Sequence, residues 1–168
     1  NGTGGTIVLS GANTFTPGLT LKGGTLAAGA VNTLPSGTTV ILNGGTLKTG
    51  VTAGFSQSTG ALFLVSNSNI ALGTGVHSLN FLNSSALFWA GAATITITGW
   101  TGGYDGTASA TAGRIFVGTD ATGLTAGQLA QITFRDGSNN PFPAVILSTG
   151  EVVPGPSVTI PDITLSSI

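Results

Sequence analysis

The sequence predicts an all-β fold of the solenoid kind, and three observations carry that expectation. Glycine fills 28 of the 168 positions, and Ser and Thr together fill another 42, so small residues dominate the chain. Short runs of Leu, Ile, Val and Thr alternate between Gly, Asn and Ser turn signals, which is the pattern of brief, half-buried strands. One segment also repeats: Leu19-Thr-Leu-Lys-Gly-Gly-Thr-Leu-Ala-Ala-Gly29 aligns with Val40-Ile-Leu-Asn-Gly-Gly-Thr-Leu-Lys-Thr-Gly50 at an offset of 21 residues. A period of about 20 residues is one coil of a β-solenoid, in which each strand lies over its predecessor and apolar side chains face a narrow interior.

The elements follow in order. Helix is disfavoured along most of the chain, because Gly costs a helix about 1 kcal/mol per site and β-branched residues lose rotamer freedom there. Strands are expected at residues 6–9, 19–22, 25–27, 39–42, 46–48, 61–65, 78–82, 86–90 and 94–98, and they make a solenoid body over residues 1–112. The Gly-Gly-Thr-Leu signature stops after Gly50, so later coils rest on the spacing of apolar runs. The strongest helix signal is Thr125-Ala-Gly-Gln128, which has capping-box spacing and precedes Leu129, Ala130 and Ile132. A helix of about two turns there, with strands at 114–117 and 132–135, predicts a cap over residues 113–153. Residues 144–153 read as one long strand interrupted at Gly150.

Residues 154–168 form a tail punctuated by Pro154, Pro156 and Pro161. Val158 and Ile160 alternate with polar residues, as do Ile163 and Leu165 one step out of phase, and alternation asks for a strand partner. Two readings stand: an edge strand folded back on its own domain, or a strand donated to the next copy in a homo-polymer. The predicted architecture is therefore a short right-handed parallel β-helix, a small C-terminal cap with one short helix, and a strand-like tail.

Composition restricts the chemistry. Only nine side chains carry formal charge, 5% of the chain against about 25% in ordinary domains, and the net charge is −1. No basic field is present to hold nucleic acid or an anionic membrane. With no Cys, one His and five carboxylates, the chain is expected to hold no catalytic centre, no cofactor and no metal. The first 104 residues carry no carboxylate at all, so the body lacks the paired acids that cleave polysaccharides. Asp105, Asp120 and Asp136 are the candidates for a calcium site, but no calcium-loop pattern surrounds them and turn residues are the simpler reading. Arg114 and Arg135 have Asp120 or Asp136 as candidate partners. His77 lies at a turn-like step with no second His or Cys to share a metal.

Three further features mark possible surfaces. Trp100 and Tyr104 are the candidate contacts for a glycan, since aromatic faces stack on sugar rings. Thr94, Thr96 and Thr98 share one strand face, which would order water only if Thr recurred coil after coil. Asn1 and Asn83 begin glycosylation-type triplets. No apolar run reaches the roughly 18 residues of a membrane helix, so no membrane insertion is expected. The chain contains no Met and residue 1 is Asn, which predicts a processed, exported protein, extracellular or on the cell surface after removal of a signal peptide.

The stretch from Gly5-Thr-Ile-Val-Leu-Ser-Gly-Ala-Asn-Thr-Phe-Thr16 through Gly24-Thr25-Leu26 resembles the autotransporter-associated β-strand repeat of bacterial passenger domains. Ser10, Gly11, Asn13, Thr14, Phe15 and Thr16 fill the central positions of that repeat. Pro17 departs from it before Gly18. The resemblance covers about residues 4–50. The segment from Gly113-Arg-Ile-Phe-Val-Gly-Thr119 to Gly150-Glu-Val-Val153 is similar to the terminal regions of repeat-bearing secreted proteins of Gram-negative bacteria. The resemblance implies a surface-exported β-helix serving as adhesin, stalk or matrix component. No run of ten-residue amphipathic barrel strands is present, which makes a free subunit the expectation. The functional expectation is a structural subunit of an extracellular filament, stalk or adhesin that assembles through solenoid ends or tail exchange. The alternative is a carbohydrate-binding surface module that does not polymerise.

Overall fold

The computed structural model describes residues 4–157. Its elements are β1 (Thr6–Leu9), β2 (Gly18–Leu21), β3 (Thr25–Ala28), β4 (Thr39–Asn43), β5 (Thr46–Lys48), β6 (Gln57–Ser66), β7 (Ser68–Ala71), β8 (His77–Leu82), β9 (Ile95–Thr98), β10 (Gly113–Val117), α1 (Ala126–Leu129), β11 (Ile132–Arg135), β12 (Pro141–Ile146) and β13 (Glu151–Pro154). The strands form one curled sheet ordered β1-β3-β5-β7-β9-β11-β12-β13-β10-β8-β6-β4-β2. Odd-numbered strands from β1 to β11 stack in parallel, as do even-numbered strands from β2 to β10. Each coil thus contributes one strand to each of two facing stacks. This is an all-β solenoid architecture.

The internal repeat is spatial as well as sequential. Leu21 pairs with Leu42, Thr25 with Thr46 and Leu26 with Leu47, the partners that the 21-residue offset predicts. Side chains alternate along a strand, so these pairs build columns. Ile7, Leu26, Leu47, Ile70, Ile97 and Phe134 form one inward column across six rungs. Leu19, Val40 and Leu62, with Leu21, Leu42 and Leu64, form two more on the opposite stack. The enclosed members of these columns belong to one continuous core, and full burial of such a side chain stabilises by about 1.5–3 kcal/mol.

The corners explain where the repeat fades. Gly44 turns the chain between β4 and β5 at φ +99°, and a Cβ there would meet Ser66 Oγ at 3.4 Å. One coil later Ser66-Asn67-Ser68 makes the corner without Gly, and Ser68 Oγ takes the Gly44 N–H at 2.9 Å. The strand that follows, β7, is absent from the sequence-based expectation for this reason. Coils also lengthen along the stack: Thr6 pairs with Thr25, 19 residues on, whereas Thr96 pairs with Thr133, 37 residues on.

The added residues form strapped loops. Residues 86–90, expected as a strand, lie in the loop between β8 and β9. Trp89 Nε1 donates there to the Leu62 carbonyl at 3.1 Å. The Gln128 side-chain amide donates to the carbonyls of Ser84 and Leu87, and the Gln131 amide donates to those of Ala90 and Ala93. Side chains satisfy these loop carbonyls, while the Ala90 N–H donates to the Leu64 carbonyl of β6 at 3.0 Å. Helix α1 is one turn rather than two, and it begins with the expected capping box, Thr125 and Gln128 bonding reciprocally.

Residues 144–153 are not one strand. The chain reverses at Leu147, whose N–H donates to the Glu151 carbonyl, while the Gly150 N–H donates back to the Leu147 carbonyl. The resulting hairpin pairs β12 antiparallel with β11, and β13 antiparallel with β10. The expected boundary at residue 112 falls inside the stack, because β10 and β11 continue it as parallel rungs. The hairpin alone closes it.

Candidate functional site

The two ends of the stack differ in their backbone accounting. Every described strand has neighbours on both sides except β1 and β2, the two termini of the sheet order. Both belong to the first described coil, so among the described residues the unpaired strand edges of both stacks lie at the same end. Free edges of this kind are templates for another strand.

The core beneath that end is unroofed. Ile7 is 63% exposed although it occupies the same inward column as Leu26, which is 5% exposed, and Phe134, which is fully buried. A groove of about 450 Å³ runs between β1 and the β2–β3 corner, lined by Ile7, Leu19, Leu21, Leu26 and their Gly and Thr neighbours. Lys22 is the one charged residue on its lining. This open coil is the candidate site.

The remaining sequence candidates fall elsewhere. Val158, Ile160, Ile163 and Leu165 lie outside the described residues. Trp100 is a core residue: its ring meets Phe134 edge-on at 5.6 Å and its Nε1 donates to the Gly103 carbonyl at 3.0 Å. Tyr104 is half-buried against Phe142, the ring centroids 4.3 Å apart. Burial and the Asp136 charge push its phenol above the ordinary tyrosine value. The two aromatics do not form a shared open platform.

Asp105, Asp120 and Asp136 do not gather. Each closes its own turn, accepting from Thr107, Thr122 and the Ser138–Asn140 segment respectively. Hydrogen bonds from the side chains of Thr107, Thr122 and Asn140, and then from nearby backbone, hold these carboxyls below the usual range. Among the described residues no group of three or more His, Cys, Asp or Glu is placed to hold a metal ion. Nor is any described helix long and apolar enough to cross a membrane.

His77 opens β8 and is buried. Its Nε2 lies 2.8 Å from Thr49 Oγ1 and its Nδ1 lies 2.8 Å from the Gly75 carbonyl. The carbonyl can only accept, so Nδ1–H donates to it, and the Thr49 hydroxyl that faces Nε2 itself accepts from the Gly73 N–H at 2.8 Å. A Cβ on Gly54 would stand 2.1 Å from the imidazole, and one on Gly113 would stand 2.7 Å away. The ring therefore occupies a slot that only glycine leaves open.

Two polar devices were not legible from spacing. Arg114 pairs with Glu151 of the closing hairpin, not with Asp120 or Asp136: Nε donates to Oε1 at 2.9 Å and Nη2 to Oε2 at 2.5 Å. The Glu151 carboxylate is fully buried, and the guanidinium also stacks on Phe116 at 5.3 Å. Arg135 donates to the Asn139 carbonyl. Gln57, deep in the body, accepts from Thr33 and Leu34 and donates to the Ala30 and Phe55 carbonyls.

The Thr94–Thr98 face is part of a longer pattern. Thr6, Thr25, Thr46, Asn69, Thr96 and Thr133 form one outward polar column. The column two residues on reads Val8, Ala27, Lys48, Ala71 and Thr98, so a second hydroxyl row is not built.

The described residues define an all-β solenoid that a hairpin closes at one end and whose first described coil has no strand neighbour beyond it. No family model, no curated protein and no solved structure matches the chain.

Proposed function

We propose that this chain is a structural subunit of an extracellular filament, stalk or surface adhesin, and that it assembles through its open coil. One observation carries the reading: all the free strand edge of the described fold, and its unroofed apolar groove, lie at the same end. The neutral body adds to this. Lys22 and Lys48 are its only charges before Asp105, so little like-charge repulsion opposes close contact between copies. The resemblance of residues 4–50 to autotransporter-associated repeats supports export to the cell surface.

Edge accounting limits how such assembly proceeds. Ladder continuation from end to end needs two free ends, and the hairpin of β12 and β13 occupies the second. Two open coils meeting face to face give a closed dimer. A filament therefore needs a donor strand from outside the described fold, and the tail at 158–168 supplies candidate sequence. Gly155 is packed into the closed end, its N–H on the Pro143 carbonyl at 2.7 Å. Truncation should accordingly fall after Ser157.

The test is sedimentation and electron microscopy of the full chain beside a version lacking residues 158–168. Filaments from the first and folded monomers or dimers from the second are expected. A full chain that stays monomeric at every concentration would remove the structural reading. A carbohydrate-binding reading would now rest on Tyr104, whose ring keeps an exposed part; glycan retention abolished by Tyr104→Ala would favour it.

A further inference from the structure

We infer that Asn83 is the acceptor for an N-linked sugar, and that the sugar lies in the groove beside it. The inference goes beyond the assembly reading and does not need it. Asn83-Ser84-Ser85 is the only Asn-x-Ser/Thr triplet among the described residues, and it follows directly on β8. Asn83 Oδ1 accepts from the Ser85 N–H at 3.0 Å and from the Ser85 hydroxyl at 2.7 Å. These two bonds hold the carboxamide oxygen over the turn, so the planar amide carries its nitrogen to the other side. Nδ2 has two hydrogens. One goes to the Thr122 carbonyl at 3.3 Å, and the other is the position that a sugar takes. Asn83 is exposed, whereas Ser84 is fully buried.

The same turn is built twice more with a carboxylate in place of the amide. Asp105 accepts from the N–H and hydroxyl of Thr107 at 3.1 and 2.7 Å, and Asp120 accepts from those of Thr122 at 2.7 and 2.6 Å. An acceptor oxygen is therefore all that the turn requires. Of the three, Asn83 alone adds a nitrogen that can carry a glycosidic bond.

The surroundings name the occupant. Asn83 lines a groove of about 600 Å³ together with Asn80, Leu82, Phe116, Thr119 and Thr149, and no charged side chain lines it. Leu82 ends β8 with 59% of its surface exposed to this space. Amides and hydroxyls beside exposed apolar carbon suit a neutral sugar, which has hydroxyls around its rim and C–H groups on its faces. A sugar bonded to Asn83 would cover Leu82.

The step balances without redox chemistry. The bond from the sugar C1 to a phosphate oxygen of an activated glycosyl donor breaks, the Nδ2–C1 bond forms, and one Nδ2 proton passes to the base of a glycosyltransferase. A single sugar at the site would identify a nucleotide-linked donor, and a preassembled oligosaccharide would identify a lipid-linked one.

Mass spectrometry of the chain recovered from the cells that make it is the test. The peptide containing residues 83–85 should be heavier by one or more sugar residues. The increment should survive mild alkali, which strips sugars from Ser and Thr. Asn83→Asp should remove it from a chain that still folds, since Asp closes the same turn at Asp105 and Asp120. Ser85→Ala should remove it as well, and Ser85→Thr should retain it. The chain contains no Cys, so Leu82→Cys reports on the groove: maleimide labelling should be several-fold slower on the modified chain than in an Asn83→Asp background. Equal labelling would overturn the placement of the sugar in the groove. An unmodified peptide, an increment lost in alkali, or one that persists in Asn83→Asp would overturn the site and leave the assembly reading intact.

Discussion

The two ends of the solenoid are built from the same column of side chains and differ in one respect, whether a strand lies beyond them. At the open end Ile7 is 63% exposed, and at the closed end Phe134 is fully buried. Between them Leu26, Leu47, Ile70 and Ile97 are all buried. The column is sealed at the second end because β12 and β13 bridge the last odd and even rungs. Exposure here reflects the presence of a neighbouring rung more than hydrophobicity, since Ile, Leu and Phe occupy equivalent inward positions.

Substitution within that column gives the largest contrast. Phe134→Ala should cost about 3–5 kcal/mol, whereas Ile7→Ala should cost under about 1 kcal/mol in the monomer. Urea unfolding of both variants measures the difference. Equal costs would mean that the open end is covered in the free chain.

The ion pair at the closed end comes next. Arg114→Met leaves the buried Glu151 carboxylate without its guanidinium and should cost about 2–4 kcal/mol. Glu151→Leu combined with Arg114→Met should cost less than Arg114→Met alone, because no unpaired charge remains. The reverse order would show the pair stabilising the hairpin by its own attraction.

Glycine around His77 tests the body between the ends. Gly54→Ala should cost about 1–3 kcal/mol by pressing on the imidazole. Most of that cost should disappear in a His77→Ala background, and a double-mutant cycle reads the coupling. Additive costs would locate the strain in the backbone instead.

The smallest effect is acid sensitivity. Hydrogen bonds depress Asp105, Asp120 and Asp136 below their ordinary values. Their turns therefore contribute stability that is present above the unfolded carboxylate range and is lost as pH falls through the lower folded values. All three carboxylates lie beyond the last Lys of the body, in the region from Asp105 onward. Acid should loosen turns 105–107, 120–122 and 136–140 while leaving the first coils unchanged, as amide signals at each turn would report.

How much was legible follows from which residues make the corners. Gly-Gly-Thr-Leu announces two coils because positive-φ glycine is needed where β2 meets β3 and β4 meets β5, and the 21-residue offset is the observed register. Ser66-Asn67-Ser68 makes the next corner by hydrogen bonding, a solution with no fixed spelling, and β7 was missed with it. Residues 86–90 look like a strand because Leu87, Phe88 and Trp89 are apolar. Only the distant Gln128 and Gln131 reveal a loop, and they act across about 40 residues of sequence. The candidate end was partly readable: a solenoid must have ends, but which one is closed depended on Gly150 reversing the chain. The Arg114–Glu151 pair spans 37 residues and left no periodic trace.

Assembly through the first coil can be read by hydrogen exchange along β1 and β2, comparing the full chain at assembling concentration with the chain lacking residues 158–168. In the truncated chain the free-edge amides of β1 and β2 should exchange fastest among the strands and those of β10 to β13 slowest, and the full chain should protect β1 and β2 selectively. Equal exchange of β1 and β2 in the two proteins, with filaments present, would contradict it.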